Sequence, residues 1–300
     1  MRLRFTKSVR IRLSFALLLA TPVTAQWLHY PTPRVPKQPN GAPNLSALAP
    51  RTVEGKPDLS GIWTAAATLQ DTACPPTEVC IRQEPLPIHA IHIGFSSFEQ
   101  LKPSADGSLP SLLPYQPWAA NLVKQRMAAQ AAPPARTEKA ANIDPHARCL
   151  PPNFPRAWAL PQYKKIVQTT GLLVILHEFN ASYRQIFTDG RPLPVDPQPS
   201  WNGYSSGKWV GDTLVVDTIG FRDDLWLDIT GNPLTEAAKV TERIRRINYG
   251  TLEIQVTVND PKAYTKPWTV QLNQSIVLDT DLLDDVCLEN ERDVEHYVAK

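Results

Sequence analysis

No apolar run in this chain approaches the ~20 residues that a membrane-spanning helix needs. The stretch LSFALLLA is short. It follows MRLRFTKSVRIR, which carries five positive charges, and precedes Val23-Thr24-Ala25, a small-residue cleavage pattern. Residues 1–25 are therefore expected to be a secretory signal peptide, cleaved after Ala25. The residue directly after that position is Gln26, not Cys, which argues against a lipid anchor. The expected location is periplasmic or secreted, with no transmembrane segment in the mature chain.

Other absences narrow the chemistry. The chain has no phosphate-binding loop, no dinucleotide fingerprint and no haem-attachment Cys-x-x-Cys-His. The pair Ser205-Ser206, between Tyr204 and Gly207, is not read as a nucleophile elbow. No Cys-x-x-Cys pair supports zinc, and Asp223, Asp224 and Asp228 lack the D-x-D-x-D-G spacing of a calcium loop. No metal and no cofactor are expected. The net charge is +2, but Arg2, Arg4, Lys7, Arg10 and Arg12 belong to the signal, so the remainder stands at −3. Without a basic run beyond the signal, nucleic acid is a poor partner.

Only four cysteines occur, all beyond the signal. In an oxidising compartment an even count suggests disulfides. Of the three possible pairings, Cys74–Cys80 and Cys149–Cys287 are favoured. The first closes CPPTEVC, and the second clamps the start of a β-rich part to its end.

What is abundant is proline, 30 residues in 300, about twice the usual ~5%. Residues 26–57 read as a Pro-rich extended leader. Residues 58–300 read as one β-barrel-like domain, with an irregular Pro-rich insertion at about 74–160. Within that insertion NLVKQRMAAQAA, preceded by PYQPW, is a helical stretch stopped by Pro133 and Pro134.

From about residue 163 the pattern is strands. KKIVQTTGLLVIL, SYRQIF, SSGKWV, GDTLVVDTIGF, KVTERIRRIN, TLEIQVTVND and KPWTVQLNQSIVL are separated by turns containing Gly, Asn or Asp. No long helical pattern intervenes, so an antiparallel meander is expected, with neighbours in sequence paired. Closing it removes its edges. The expected fold is mainly β, a lipocalin-like barrel or half-barrel with one or two short helices.

Alternation identifies the inner face. Leu252, Ile254, Val256 and Val258 share one side of TLEIQVTVN. A three-residue turn, Asn248-Tyr249-Gly250, sets Ile244 opposite Ile254 and Val240 opposite Val258. That register turns Glu242 and Arg246 inward and Arg245 outward, beside Glu253. Two readings follow: a structural ion-pair network, or a polar site in a cavity. In LHEFNASYRQ, His177 is expected beside Arg184, and Glu178 beside Tyr183. In GKWVGDTLVV, Trp209 falls opposite Leu214, with Asp217 on the other face. Trp226, in the loop FRDDLWLDITGNP, is expected to fold back as a lid at one barrel mouth.

The runs DPHARCLPPNFPR, KIVQTTGLLVILHE, RQIFTDGRPLP, GYSSGKWVGDTLVVDTIGF, VTERIRR and DPKAYTKPWTV resemble a family of exported bacterial β-rich proteins, over roughly residues 144–298. Gly61-Ile62-Trp63 looks like the G-x-W on the first strand of lipocalin-type barrels. The resemblance implies a periplasmic, barrel-like domain and no particular reaction. Where the family often reads G-H-P-H, this chain has Gly231-Asn232-Pro233-Leu234, which makes a metal-dependent mechanism less expected here.

Three function classes compete. The favoured one is a periplasmic barrel binding a small apolar or aromatic molecule, with Arg246, Trp201, Tyr204, Trp226 and Tyr183 at the ligand. The second is a cofactor-free isomerase, lyase or hydratase with Glu242 or His177 as base and Arg184 or Arg246 stabilising negative charge. The third is a structural envelope protein.

Overall fold

The computed structural model describes residues 30–66, 113–131 and 143–289. The expected signal peptide, the expected Cys74–Cys80 pair and much of the Pro-rich insertion lie outside them. The chain forms a closed nine-stranded barrel with only two α-helices among the described residues. No helix among them is long and apolar enough to cross a membrane.

The first strand is β1 (Gly61–Ala65), which carries the Gly-Ile-Trp tripeptide. Helix α1 (Pro117–Ala131) begins on a proline, the position where a missing N–H costs nothing, and buries Ala119, Val123 and Met127 on one face. A four-residue helix, α2 (Arg156–Ala159), follows. Then come β2 (Lys164–Thr169), β3 (Leu172–His177) and β4 (Ser182–Phe187), a sequential antiparallel set. Strands β5 (Tyr204–Val210) and β6 (Thr213–Ile219) form a hairpin, and the short pair β7 (Leu225–Trp226) and β8 (Pro233–Leu234) stands apart. The longest strands are β9 (Lys239–Asn248) and β10 (Thr251–Asn259), followed by β11 (Trp268–Gln271) and β12 (Gln274–Val277). Strand β1 joins β12 to β2, and β9 joins β6 to β10, which closes the circle.

The β9–β10 hairpin has the register that alternation dictates. Glu242 faces Val256, Ile244 faces Ile254 and Arg246 faces Leu252. Trp209 lies opposite Leu214. Two details differ from the expected meander. Strands β4 and β5 pair in parallel, through Ile186–Ser205 and Phe187–Ser206. The segment 188–203 between them is long enough for the crossover that a parallel pair needs. The β3–β4 register also differs: His177 faces Ser182, and Ile175 faces Arg184. Asn180 and Ala181 both adopt left-handed backbone angles, φ 54° and 44°, which ends the turn earlier than expected. A two-residue slip preserves the faces, so His177 and Arg184 still point inward, at 1% and 2% exposure.

The barrel is filled by its own chain. Residues 152–160, PNFPRAWAL, are buried throughout and pack into the same core as the inward residues of the strands. We call this segment the plug. The Cys149–Cys287 disulfide, with Cα atoms 5.3 Å apart across 138 positions, ties the start of the plug to the C-terminal tail. Asn180 braces it, donating from Nδ2 to the Cys149 carbonyl at 2.6 Å and accepting from the Cys287 N–H at 3.2 Å.

The leader holds a repeat. Residues 36–46, PKQPNGAPNLS, and 50–60, PRTVEGKPDLS, match in pattern fourteen positions apart. Their backbone bonds match too. Gln38 N–H donates to Ala42 O and Asn44 N–H to Pro36 O, both 2.8 Å; Thr52 N–H donates to Lys56 O and Asp58 N–H to Pro50 O, again 2.8 Å. Gly41 and Gly55 take φ of +84° and +76°, which a glycine adopts without steric cost. The second copy delivers Leu59 into the core, while Leu45 of the first stays 43% exposed and its carbonyl accepts from the Gly250 N–H.

Candidate functional site

Two polar sites are each built on an arginine that strand alternation turns inward. At the centre, Arg184 of β4 meets Glu242 of β9. The guanidinium donates from Nη1 to Oε1 at 3.0 Å and from Nη2 to Oε2. Its other donors reach Ser205 Oγ at 3.1 Å and Thr218 Oγ1 at 2.9 Å. Trp158 of the plug donates from Nε1 to Glu242 Oε1 at 2.6 Å, and Phe154 lays its ring 4.9 Å from the guanidinium carbon. Glu242 is 0% exposed. Burying two charges costs several kcal/mol per ion after relaxation, about what a fully hydrogen-bonded pair can recover. This centre matches the ion-pair alternative for Glu242, whose carboxylate is fully buried and hydrogen-bonded to Arg184 and Trp158.

Residues 203–207, Gly-Tyr-Ser-Ser-Gly, do spell the Gly-x-Ser-x-Gly pattern. The context denies a nucleophile elbow, which needs a strand-to-helix turn. Ser205 lies inside strand β5, buried, and is shared between Arg184 and Thr218.

Beside this centre, Lys164 of β2 is fully buried. Its Nζ donates to the plug carbonyls of Ala157 at 3.0 Å and Leu160 at 2.6 Å. Burial lowers its pKa to about 7, against a smaller upward pull from Glu178. His177 pairs with Lys164 across the β2–β3 ladder. Burial, then the charge of Lys164, brings His177 to about 3, so it is neutral over the physiological range. Neither of its ring nitrogens makes a hydrogen bond of good geometry, and the Phe179 backbone offers only a weak polar contact. Among the described residues no hydrogen bond of good geometry fixes one tautomer of this imidazole, the usual support of a general base. The plug is secured further by Arg156, which forks onto Asp144 through two 2.7 Å bonds. Burial pushes the Asp144 carboxyl up, but the adjacent guanidinium outweighs it and the net shift is downward.

The second site is at one barrel mouth. A cavity of about 420 Å³ opens between the leader and the β1–β12 wall. Its apolar surface comes from Tyr30, Ile62, Tyr249, Ile276 and Val277. Arg246 enters it from β9, donating from Nη1 to the carbonyls of Asp58 at 2.6 Å and Ser60 at 3.2 Å. It also donates from Nη2 to Tyr249 O and from Nε to Asn248 O at 3.3 Å. The rings of Trp63 and Tyr249 sit 4.9 and 5.1 Å from its guanidinium carbon. Burial lowers its pKa to about 10, opposed by the charge of Asp58. No carboxylate among the described residues forms an ion pair with Arg246.

The remaining residues singled out in the sequence do not converge on either site. Tyr183 stands on the outer face of β4 at 60% exposure, and Tyr204 is 38% exposed at the start of β5. Trp201 is partly buried against the core, with the Arg222 guanidinium 4.9 Å from its ring. Trp226 is not a lid: it is 1% exposed, roofed by Arg126 of α1 at 4.4 Å, and its carbonyl accepts from Asn153 of the plug. The loop that contains it closes on Asp228, whose carboxylate accepts from Thr230 Oγ1 and Asn232 Nδ2, both at 2.7 Å. Asp223 and Asp224 point to other partners, Lys262 and Arg222.

The sequence reading missed two features of this arrangement. The plug carries no period, so Phe154 and Trp158 gave no signal. The cavity borrows residues 30–34 and 50–51 from a leader read only as extended chain; the 14-residue repeat was the clue that this leader is ordered. Neither a comparison with family models nor one with curated proteins returns a match.

Proposed function

We propose that this protein is an exported binding barrel for a small, largely apolar or aromatic molecule. The carrying observation is the 420 Å³ cavity between leader and barrel mouth. Its size falls in the range of small-molecule sites, and its walls combine apolar side chains with a few polar groups. Export is supported by the composition of residues 1–25 and by the Cys149–Cys287 disulfide, a bond that persists in oxidising compartments.

The plug gives the structural reading its own support, since the centre of the barrel is filled. A reaction at Glu242 would require Trp158 to withdraw and Arg184 to lose its carboxylate partner. The binding reading requires no such rearrangement.

Thermal-shift screening of the purified, oxidised protein against small aromatic and aliphatic compounds tests this reading, because a ligand that binds only the folded state raises the melting point by mass action. Val277→Trp fills the cavity from β12. Compounds that stabilise the parent protein are expected to lose their effect on this variant. Equal shifts in both proteins would place binding elsewhere and defeat the proposal.

A further inference from the structure

We infer that the ligand of this cavity is an amphipathic carboxylate, an anionic head on an apolar body. The inference rests on the binding reading above and adds the charge of the ligand to it.

Four cationic side chains line the cavity: Arg34, Arg51, Lys165 and Arg246. Two are neutralised in place. Arg51 forks onto Asp212 at 3.0 and 2.7 Å, and Lys165 meets Asp281 at 2.7 and 2.8 Å. The other two have no carboxylate contact. Arg246 hydrogen-bonds only to backbone carbonyls among the described residues, and these occupy four of its five N–H groups. Asp58 acts on it through its backbone carbonyl and its charge, while its carboxylate Oδ1 accepts from the Ser60 N–H at 2.9 Å. Arg34 makes no hydrogen bond or ion pair among the described residues.

Arg34 also has an unusual backbone. Pro33 and Arg34 form a turn in which Arg34 sits at φ 59°. That is the left-handed region, which Gly or Asn adopts more readily than Arg. A residue held in a strained conformation at a cavity wall is a pointer to use. Here the strain places an unpaired guanidinium on the wall. Thr32 secures the turn through a reciprocal pair with Asp279: its N–H donates to Oδ1 at 2.9 Å, and its Oγ1 accepts from the Asp279 N–H at 2.7 Å.

A carboxylate suits this arrangement better than the alternatives. Its two oxygens can accept from the remaining Arg246 N–H and from Arg34, and hydrogen bonds between ionised partners are roughly twice as strong as neutral ones. An alcohol would leave Arg246 facing only neutral oxygens. An ammonium head would meet two unpaired cations. The aromatic and aliphatic wall of Tyr30, Ile62, Tyr249 and Ile276 takes the body.

The test compares three heads on one body: 4-phenylbutyrate, 4-phenylbutanol and 4-phenylbutylamine, titrated calorimetrically into the full oxidised chain at neutral pH. The acid is expected to bind at least tenfold tighter than the alcohol, with the amine weakest. Arg34→Gln, at an exposed side chain without partners, should remove most of that preference while the melting point stays put. Arg246→Gln should remove it as well. Alcohol or amine binding as tightly as the acid overturns the inference and leaves the apolar-cavity reading standing. A preference for the acid that survives Val277→Trp places the anion site outside the cavity and also overturns it. Absence of binding by all three defeats both readings.

Discussion

The centre and the mouth of this barrel each hold a buried arginine, and they treat it differently. Arg184 has a carboxylate, two hydroxyls and an aromatic ring within reach, so its charge is matched inside the protein. Arg246 has aromatic rings and four carbonyl contacts, but no ion-pair partner among the described residues. Both come from strands whose alternation turns them inward. The difference arises from what covers them. The plug brings Trp158 onto Glu242 and completes the central network. The leader and the residues after it bring the carbonyls of Asp58 and Ser60 onto Arg246 and leave space beside it. A charge satisfied internally serves the fold, and one satisfied only by dipoles is open to a partner from outside.

The largest expected effect would break the central half of this contrast. Glu242→Leu strands the Arg184 charge in the interior and should cost about 3–5 kcal/mol. Adding Arg184→Met should restore most of that loss, since an apolar pair of similar volume is often neutral. Urea denaturation of the two variants gives the numbers. A double variant as unstable as the single one would mean that the pair is not coupled as the geometry shows.

An intermediate effect concerns Lys164, the third buried cation, held by plug carbonyls. Its folded pKa of about 7 lies below the value of about 10.5 expected when unfolded. Between these values the unfolded chain binds more protons than the folded one, so stability rises with pH across pH 7 to 10.5. The slope from this single group can reach about 1.4 kcal/mol per pH unit at most. Below pH 7 its contribution is a constant penalty. Denaturation midpoints of the parent protein should climb between pH 7 and 9.5, and Lys164→Met should flatten the climb. An unchanged slope in the variant would remove Lys164 as its source.

The smallest effect sharpens the comparison at the mouth. Arg34→Asn keeps the turn and relieves the left-handed strain, because Asn tolerates that conformation. A stabilisation of under about 1 kcal/mol is expected, of opposite sign to the central loss. Destabilisation in the same urea titration would show that Arg34 has a partner in the fold after all.

Much of the barrel was legible because period-two alternation over nine- and ten-residue strands leaves one consistent register. In β9 and β10 that fixed Glu242 and Arg246 as inward before any contact was known. The same logic placed His177 and Arg184 on the inner face although their pairing was two residues off, since parity survives an even slip. The Cys149–Cys287 pairing was also legible, from chain order. What alternation cannot carry is the irregular chain: the plug at 152–160 has no period and the leader at 30–60 has no strand or helix period, yet they decide which arginine is neutralised. Trp226 illustrates the same limit. A tryptophan among aspartates reads as a lid folded back from a loop, and only its coverage by Arg126 and Asn153 shows it to be core.

The duplicated turn of the leader creates an ambiguity that the chain has to resolve during folding. A slide by fourteen positions would seat Asn44-Leu45-Ser46 where Asp58-Leu59-Ser60 belongs, with the local turn bonds intact. What rejects that placement is the sequence downstream: Ala47-Leu48-Ala49 would then run where Gly61-Ile62-Trp63 forms the seam with β12 and β2. Trp63, fully buried beneath Arg246, thus acts as the keyed residue that tells two nearly identical turns apart.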